Sequence, residues 1–129
     1  MSYLLDTDVL VDVLRNRGPA RARLATESPE HCRVSSVAIA ELAYGALRSA
    51  DAARADLAWR TLVEPIEVVP FDAAAAVHHA ELRLALRATP IGERDLIVSA
   101  TALAHHLTVV TRNVREFGRV PGLQVEVWA

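Results

Sequence analysis

The chain has 129 residues, of which 52% are hydrophobic and 23% charged, and its formal net charge is -2. This length and composition predict one globular domain over residues 1–129, long enough for a single core, and exclude a disordered chain. The small negative charge argues against a protein that attracts nucleic acid through its overall field. All cations are arginine and lysine is absent, which excludes activities that depend on a lysine.

The apolar runs, the N-terminal segment and the cysteine content bear on where the protein is located. No apolar run approaches the roughly 20 residues of a membrane span, and the N-terminus lacks the basic start and apolar core of a signal peptide. Cys32 is the single cysteine, so it cannot form an internal disulfide, and it fits a reducing compartment. We therefore expect a cytoplasmic protein with no membrane contact.

Short apolar runs alternate with segments of helical pattern along the whole chain. Strands are predicted at residues 2–6, 31–35, 66–70, 108–111 and 123–128. Helices are predicted at 8–16, 19–27, 37–49, 52–64, 73–88 and 94–107, with a helical turn at 113–118, and the expected caps are Thr7, Ser35 or Ser36, Asp51 and Asp72. This alternation predicts an α/β fold, a central parallel sheet of about five strands sandwiched by helices.

Four acidic residues occupy positions that such a fold would bring to one edge of the sheet. Asp6 ends the first strand, Glu41 lies a turn into the helix after the second, Asp95 opens the helix after Gly92, and Glu116 follows the fourth strand. Carboxylates that converge without Cys or well-spaced His favour Mg²⁺ or Mn²⁺ over zinc. From these residues alone, a metal site and an ordinary set of loop-end acids are about equally supported.

Four segments resemble the PIN-domain ribonuclease toxins of VapBC toxin–antitoxin pairs: "YLLDTDVLVD", "VSSVAIAELAYGA", "PIGERDLIVSATALAHHLTVVTRNVREFGRVPGL" and the terminal "EVW". The resemblance covers essentially the whole chain in order and is most specific over residues 90–123. It implies a PIN-like single domain and a Mg²⁺- or Mn²⁺-dependent endoribonuclease that cuts transfer RNA or ribosomal RNA, leaving a 5′-phosphate and a 3′-hydroxyl. It also implies a homodimer that a cognate VapB-like antitoxin silences.

The resemblance assigns roles residue by residue. Asp6, Glu41, Asp95 and Glu116 would be the catalytic, metal-coordinating acids, and Thr7, Thr111 and Asn113 fall on the polar positions that orient them. Three arginines lie close to these acids in sequence and could bind flanking phosphates, with a solvated surface side chain as the favoured alternative for each: Arg94, Arg112 and Arg115.

The chain departs from the family pattern at two positions. Position 8 is usually Asn and is Asp8 here, which would either add a ligand or, as we favour, cap the first helix. The fourth acid is Glu116 where Asp is also common, so Asn113 could share its task.

Other residues have ordinary explanations that we favour. The pairs His78-His79 and His105-His106 are adjacent, and adjacent helical side chains diverge by about 100°, so helix-surface histidines are expected and not a zinc site. The helix at 73–88 is apolar on more than one side, which predicts a core contact plus a dimer contact. Trp59 and Trp128 are expected to pack in a core or an interface.

Two rival functions follow from the residues. "LLDTDVL" approaches the motif of haloacid-dehalogenase phosphatases, but Leu10 stands in the Thr/Val place and the lysine those enzymes use is absent. A catalytically inactive PIN-like module that binds RNA or protein is the second alternative, and the sequence leaves it open.

Overall fold

The strands form one parallel sheet with the first strand at its centre. The computed structural model describes residues 2–128, so Met1 and Ala129 of the predicted domain lie outside the described residues. The strands are β1 (Tyr3–Leu5), β2 (Cys32–Ser35), β3 (Glu67–Val69), β4 (Thr108–Val110) and β5 (Val125–Glu126). Their order is β3-β2-β1-β4-β5, and each neighbouring pair is parallel. The predicted α/β class with a five-stranded parallel sheet is confirmed.

Seven helices connect and cover these strands. They are α1 (Thr7–Arg15), α2 (Ala20–Thr26), α3 (Ser36–Leu47), α4 (Ala52–Val63), α5 (Ala73–Ala85), α6 (Glu93–Ala104) and the single turn α7 (Val114–Phe117). None of the helices in residues 2–128 has the length and apolar character needed to cross a membrane.

The core explains why the central strands are uninterrupted apolar runs. Leu5 packs with Leu10 of α1 and Val34 of β2 on one face of the sheet, and Leu4 packs with Val98 of α6 on the other. Successive side chains of a strand point to opposite faces, so a strand covered on both sides needs apolar residues at every position. The sheet is therefore held between α1 and α3 on one side and α6 on the other.

Hydrogen bonds at the helix ends correct two predicted boundaries. The cap of α1 is Asp6 and not Thr7, because β1 stops at Leu5 and the Asp6 side chain accepts the N–H of Thr7. Helix α6 ends at Ala104 and not at Leu107, because His106 adopts a left-handed conformation (φ 56°) and the N–H of Leu107 returns to the carbonyl of Ala102.

Several residues outside the acidic edge have structural positions. Trp59 and Trp128 are both buried, as expected, and Trp128 packs edge-to-face on Tyr3. Helix α5 buries Leu82 but leaves other apolar side chains exposed, so it is apolar on two sides, and the dimer contact remains a prediction.

Two of the four paired histidines contact carboxylates on other elements, and His105 and His106 lie just beyond the end of α6 and not on the helix. His79 contacts Glu93 and His105 contacts Asp72, through Nε2 at 2.9 and 2.8 Å respectively.

Candidate active site

The site begins where β1 and β4 end side by side. Leu5 and Val110 are paired in register, so Asp6 and Thr111, the next residues, emerge together at the carboxyl edge of the sheet. The Thr111 hydroxyl donates to Oδ2 of Asp6 at 2.8 Å, and the N–H of Thr7 donates to Oδ1 at 2.9 Å. Both oxygens of this half-buried carboxylate are therefore fixed, which explains how an apolar strand can end on a charged residue.

Asp95 and Glu116 lie on the adjacent helices α6 and α7. Asp95 is 9% exposed, and its Oδ2 accepts a hydrogen bond from Nδ2 of Asn113 at 3.1 Å. The N–H of Asn113 in turn donates to the Thr111 hydroxyl at 3.0 Å, so one short loop holds both Asp6 and Asp95. Glu116 is hydrogen-bonded to Asp95. These acids face an open cleft that is lined by Gly92, Glu93, Arg94, Asp95, Asn113, Arg115, Glu116 and Arg119.

The pKa values record how closely these carboxylates approach one another. Burial raises the pKa of Asp95 to about 7, and the hydrogen bond to Glu116 and the charge of Asp6 add to the rise. The same hydrogen bond lowers the pKa of Glu116. Burial also raises the pKa of Asp6, although its bond to Thr111 opposes the rise. The pKa of Asp95 is thus raised and that of Glu116 lowered, which is the behaviour of acids that converge.

Glu41 joins this group through an arginine. Its Oε2 lies 3.0 Å from Nη1 of Arg94, and Arg94 also interacts favourably with the charges of Asp95 and Asp6. Glu41 therefore reaches this group through Arg94, whereas Asp95 interacts directly with Asp6 and with Glu116.

The donor set suits a hard divalent cation. Carboxylate oxygens predominate among the converging side chains, and Mg²⁺ and Mn²⁺ prefer oxygen ligands. Within residues 2–128, no three Asp, Glu, His or Cys side chains are already arranged closely enough to hold an ion. The residues fit Mg²⁺ or Mn²⁺ by the chemistry of their oxygen donors.

The polar positions predicted to orient the acids do so in two different ways. Thr111 and Asn113 bond to Asp6 and Asp95 through their side chains, whereas Thr7 uses its backbone N–H.

The three arginines predicted near phosphates have different surroundings. Arg94 and Arg115 line the cleft. Arg112 does not, because its Nε is bound to Oδ2 of Asp12 at 2.8 Å on α1, and its contact with a phosphate stays a prediction. Arg119, which the sequence analysis missed, lines the cleft 4.0 Å from Glu116. Its position three residues after an acid on a helical turn was the available signal.

Of the two roles considered for Asp8 from the sequence, the helix cap is wrong and the metal ligand stays a prediction. Asp8 does not cap α1, since Asp6 does, and its Oδ2 accepts the backbone N–H of Arg112 at 2.9 Å. It also lies 3.3 Å from the Thr111 hydroxyl. Asp8 therefore holds the loop after β4.

The parallel sheet with an acidic cleft at its carboxyl edge defines a PIN-type α/β domain, and the PIN domain family model matches residues 3–123. Curated relatives span the full chain. The "tRNA(fMet)-specific endonuclease VapC" of Salmonella typhimurium is 33% identical over 99% of this chain and 98% of its own length, and that of Shigella flexneri is 35% identical over 100% and 99%. The chain belongs to the PIN-domain family and, within it, to the VapC proteins.

Solved structures agree with this assignment. The toxin chain in the DNA-bound VapBC crystal structure from Salmonella typhimurium superposes with a TM-score of 0.92 at 31% identity, covering 100% of this chain and 99% of that one. VapBC2 from Rickettsia felis, bound to a DNA fragment from its promoter, gives a TM-score of 0.89 at 27% identity over 100% of both chains.

Proposed function

We propose that the chain is the toxin of a VapBC-type toxin–antitoxin pair, an endoribonuclease that hydrolyses RNA phosphodiester bonds with the help of Mg²⁺ or Mn²⁺. The observation that carries the proposal is the set of mutually interacting carboxylates at the sheet edge, where burial and neighbouring acids raise the pKa of Asp95 to about 7. A carboxylate with a purely structural role does not need other carboxylates beside it, whereas a bound cation would neutralise their combined negative charge. The names of the curated relatives support ribonuclease activity.

The four acids have distinct parts in this proposal. Asp6 and Asp95, which are held by Thr111 and Asn113, would be the principal ligands, and Glu41 and Glu116 would complete the site. The bound ion supplies Lewis-acid chemistry: it lowers the pKa of water and stabilises the charge that develops on the phosphate.

The remaining residues of the cleft would bind and orient the substrate. Arg94, Arg115 and Arg119 provide guanidinium groups beside the acids, and a guanidinium can donate two parallel hydrogen bonds to one phosphate. We assign them to the phosphates that flank the scissile bond, because phosphate contacts position a nucleic acid without reading its sequence.

Transfer RNA is the proposed substrate. Relatives that share about a third of their residues with this chain over its full length carry names that specify tRNA(fMet). Ribosomal RNA is the other substrate that the experiment below distinguishes.

A VapB-like antitoxin and a second copy of the chain are the proposed partners, and the cytoplasm is the proposed location. The solved relatives are toxin–antitoxin complexes. Val77 and Leu84, which are 61% and 64% exposed on the outer side of α5, support a contact between copies.

The test uses the purified, partner-free protein. Incubation with total RNA and Mn²⁺ should give discrete fragments that chelation prevents, and mapping of their 5′ ends should place the cuts in transfer RNA. Asp6→Asn should abolish cutting, while Asp51→Asn, the same change at an acid that caps α4 far from the cleft, should retain it. Equal cutting by wild type and Asp6→Asn would show a contaminating nuclease. Intact RNA with measurable binding would instead identify a non-cutting module.

A further inference from the structure

A connection between α1 and the loop after β4 lies directly beneath the two principal acids. Oδ2 of Asp8 accepts the backbone N–H of Arg112 at 2.9 Å, and it lies 3.3 Å from the Thr111 hydroxyl. The Thr111 hydroxyl has one hydrogen, which its shorter distance of 2.8 Å assigns to Asp6. The bond of Asp8 to the loop is therefore chiefly the bond to the Arg112 backbone.

Asp12 holds the same loop residue by its side chain. Nε and Nη2 of Arg112 donate to the two carboxylate oxygens of Asp12 at 2.8 and 3.4 Å. Asp8 and Asp12 are four residues apart on α1, so they lie on one face of the helix. Asp12 is 8% exposed, and its buried charge is neutralised by this pair. Helix α1 thus fixes residue 112 at its backbone and at its side chain.

The residues on either side of Arg112 are those that orient the acids. Thr111 donates to Asp6, and Asn113 donates to Asp95. A displacement of the Arg112 backbone would move both donors together, because Asn113 also donates its own N–H to Thr111. The position of both acids consequently depends on what holds residue 112.

The first turn of α1 favours the charge of Asp8, but this does not account for the bond that Asp8 makes to the loop. Asp6 already caps α1, and Oδ1 of Asp8 is buried without a hydrogen-bond partner among residues 2–128. A buried carboxylate oxygen without a partner costs stability and calls for an explanation elsewhere. We propose that Asp8 is a positioning residue: with Asp12, it makes α1 a two-point brace that sets the loop at residues 111–113 and, through it, the geometry of Asp6 and Asp95. The catalytic consequence rests on the function proposed above, whereas the brace itself does not.

Two substitutions at position 8 separate hydrogen bonding from packing. Asp8→Asn keeps an oxygen that can accept the Arg112 N–H, and Asp8→Leu has the same branching at Cγ in a larger side chain with no acceptor. Asp8→Ser, whose hydroxyl is too short to reach the loop, provides a milder variant should Asp8→Leu fail to fold. Asp51→Ala removes a helix cap on α4 without touching the loop, so it controls for general destabilisation.

Two measurements test the brace. Amide hydrogen exchange of Arg112 and Asn113 in the metal-free protein should be slow in wild type and Asp8→Asn, and fast in Asp8→Leu and Asp8→Ser. Mn²⁺ affinity measured by calorimetry should fall roughly 10–100-fold in the last two variants, the usual effect of losing a group that orients a metal ligand. It should stay near the wild-type value in Asp51→Ala. Asp8→Asn loses the charge beside Asp6 but keeps the acceptor, so its affinity should stay well above that of Asp8→Leu and Asp8→Ser.

The outcomes are distinguishable from failure of the proposed function. Wild-type protein that neither binds Mn²⁺ nor cuts RNA would contradict the proposed function and leave the exchange measurement to decide the brace. Unchanged exchange at Arg112 in both Asp8→Leu and Asp8→Ser would overturn the brace. A loss of Mn²⁺ affinity in Asp51→Ala equal to that in Asp8→Ser would also overturn it, because destabilisation alone would then explain the effect.

Discussion

Oε2 of Glu41 lies 3.0 Å from Nη1 of Arg94, so one of the four acids is held by a guanidinium at the rim of the cleft. Arg94 opposes the burial-driven rise in the pKa values of Asp6 and Asp95. It therefore acts as the internal counter-ion of the acidic group. A divalent cation that bound these acids would compete with Arg94 for Glu41, and the released guanidinium would be free to bind a phosphate.

This competition predicts that Arg94→Gln binds Mn²⁺ more tightly than wild type. The substitution removes a positive charge from the cleft and leaves Glu41 without its partner, so the attraction for a cation increases. Arg94→Lys, which keeps the charge, should resemble wild type. Calorimetric titration with Mn²⁺ at constant pH checks the prediction, and weaker binding by Arg94→Gln would contradict the counter-ion role. RNA cutting by Arg94→Gln should nevertheless fall, because a phosphate-binding group is lost.

The raised pKa of Asp95 predicts how stability depends on pH without metal. Its pKa of about 7 lies above the ordinary value of 3.8, so the folded protein holds a proton that the unfolded chain has released. The contribution of Asp95 to the free energy of unfolding is therefore complete below pH 3.8 and is lost as pH rises through 7. The lowered pKa of Glu116 acts in the opposite direction, but only below its ordinary value of 4.5.

Asp95→Asn should abolish most of this pH dependence and should be more stable than wild type at pH 8 in the presence of a chelator. Urea unfolding from pH 4 to 8 measures both effects. Mn²⁺ should stabilise wild type more at pH 8 than at pH 5, since cation and proton compete for the same carboxylates. A wild-type stability that rises between pH 5 and 8 without metal would contradict the assignment.

The sequence was sufficient to predict the sheet and the acidic edge, because strand periodicity and strand-end acids are local signals. Asp6 and Asp95 lie at one edge of the sheet as the order of elements predicted, and Thr111 and Asn113 contact them as the family resemblance implied. The hydrogen-bond partners of Arg112 could not be predicted in this way. Its partners Asp8 and Asp12 are about a hundred positions earlier, and only the pairing of β1 with β4 brings them close.

The predicted start of α1 and the predicted end of α6 were wrong for a related reason. The cap of α1 is Asp6 and not the predicted Thr7, because β1 has only three residues and Asp6 lies outside it. The sequence pattern does not determine where so short a strand ends. The end of α6 depended on His106 accepting a left-handed backbone, a conformation that its residue type permits but does not require. Similarly, the sequence left Ser35 and Ser36 equally suitable as caps of α3.

Ser35 is the cap of α3, so its replacement should weaken the protein. The Ser35 hydroxyl accepts the N–H of Ala38 at 3.1 Å, and the residue is 3% exposed. Ser35→Ala should lower the free energy of unfolding by about 0.5–2 kcal/mol, the usual effect of removing an N-cap. Ser36→Ala, one residue further on and exposed, should change it by less than about 0.5 kcal/mol. Urea unfolding of both variants is the measurement, and a larger loss in Ser36→Ala would contradict the assignment of the cap.

Thr111 is expected to matter more than its size suggests, because one fully buried hydroxyl serves two parts of the site. It donates to Asp6 and accepts the N–H of Asn113, and Asn113 in turn holds Asp95. Thr111→Val keeps the branched shape but removes both hydrogen bonds, whereas Thr111→Ser keeps them.

The bond from Thr111 opposes the burial-driven rise in the pKa of Asp6, so Thr111→Val should raise that pKa further. Mn²⁺ affinity should consequently fall about 10–100-fold in Thr111→Val and recover in Thr111→Ser. The loss should be greatest at low pH, where the proton competes best with the cation for Asp6. Equal affinity in the two variants across pH 6 to 8 would show that the hydroxyl does not orient the acids, and that Asp6 keeps its position through its bond to Thr7 alone.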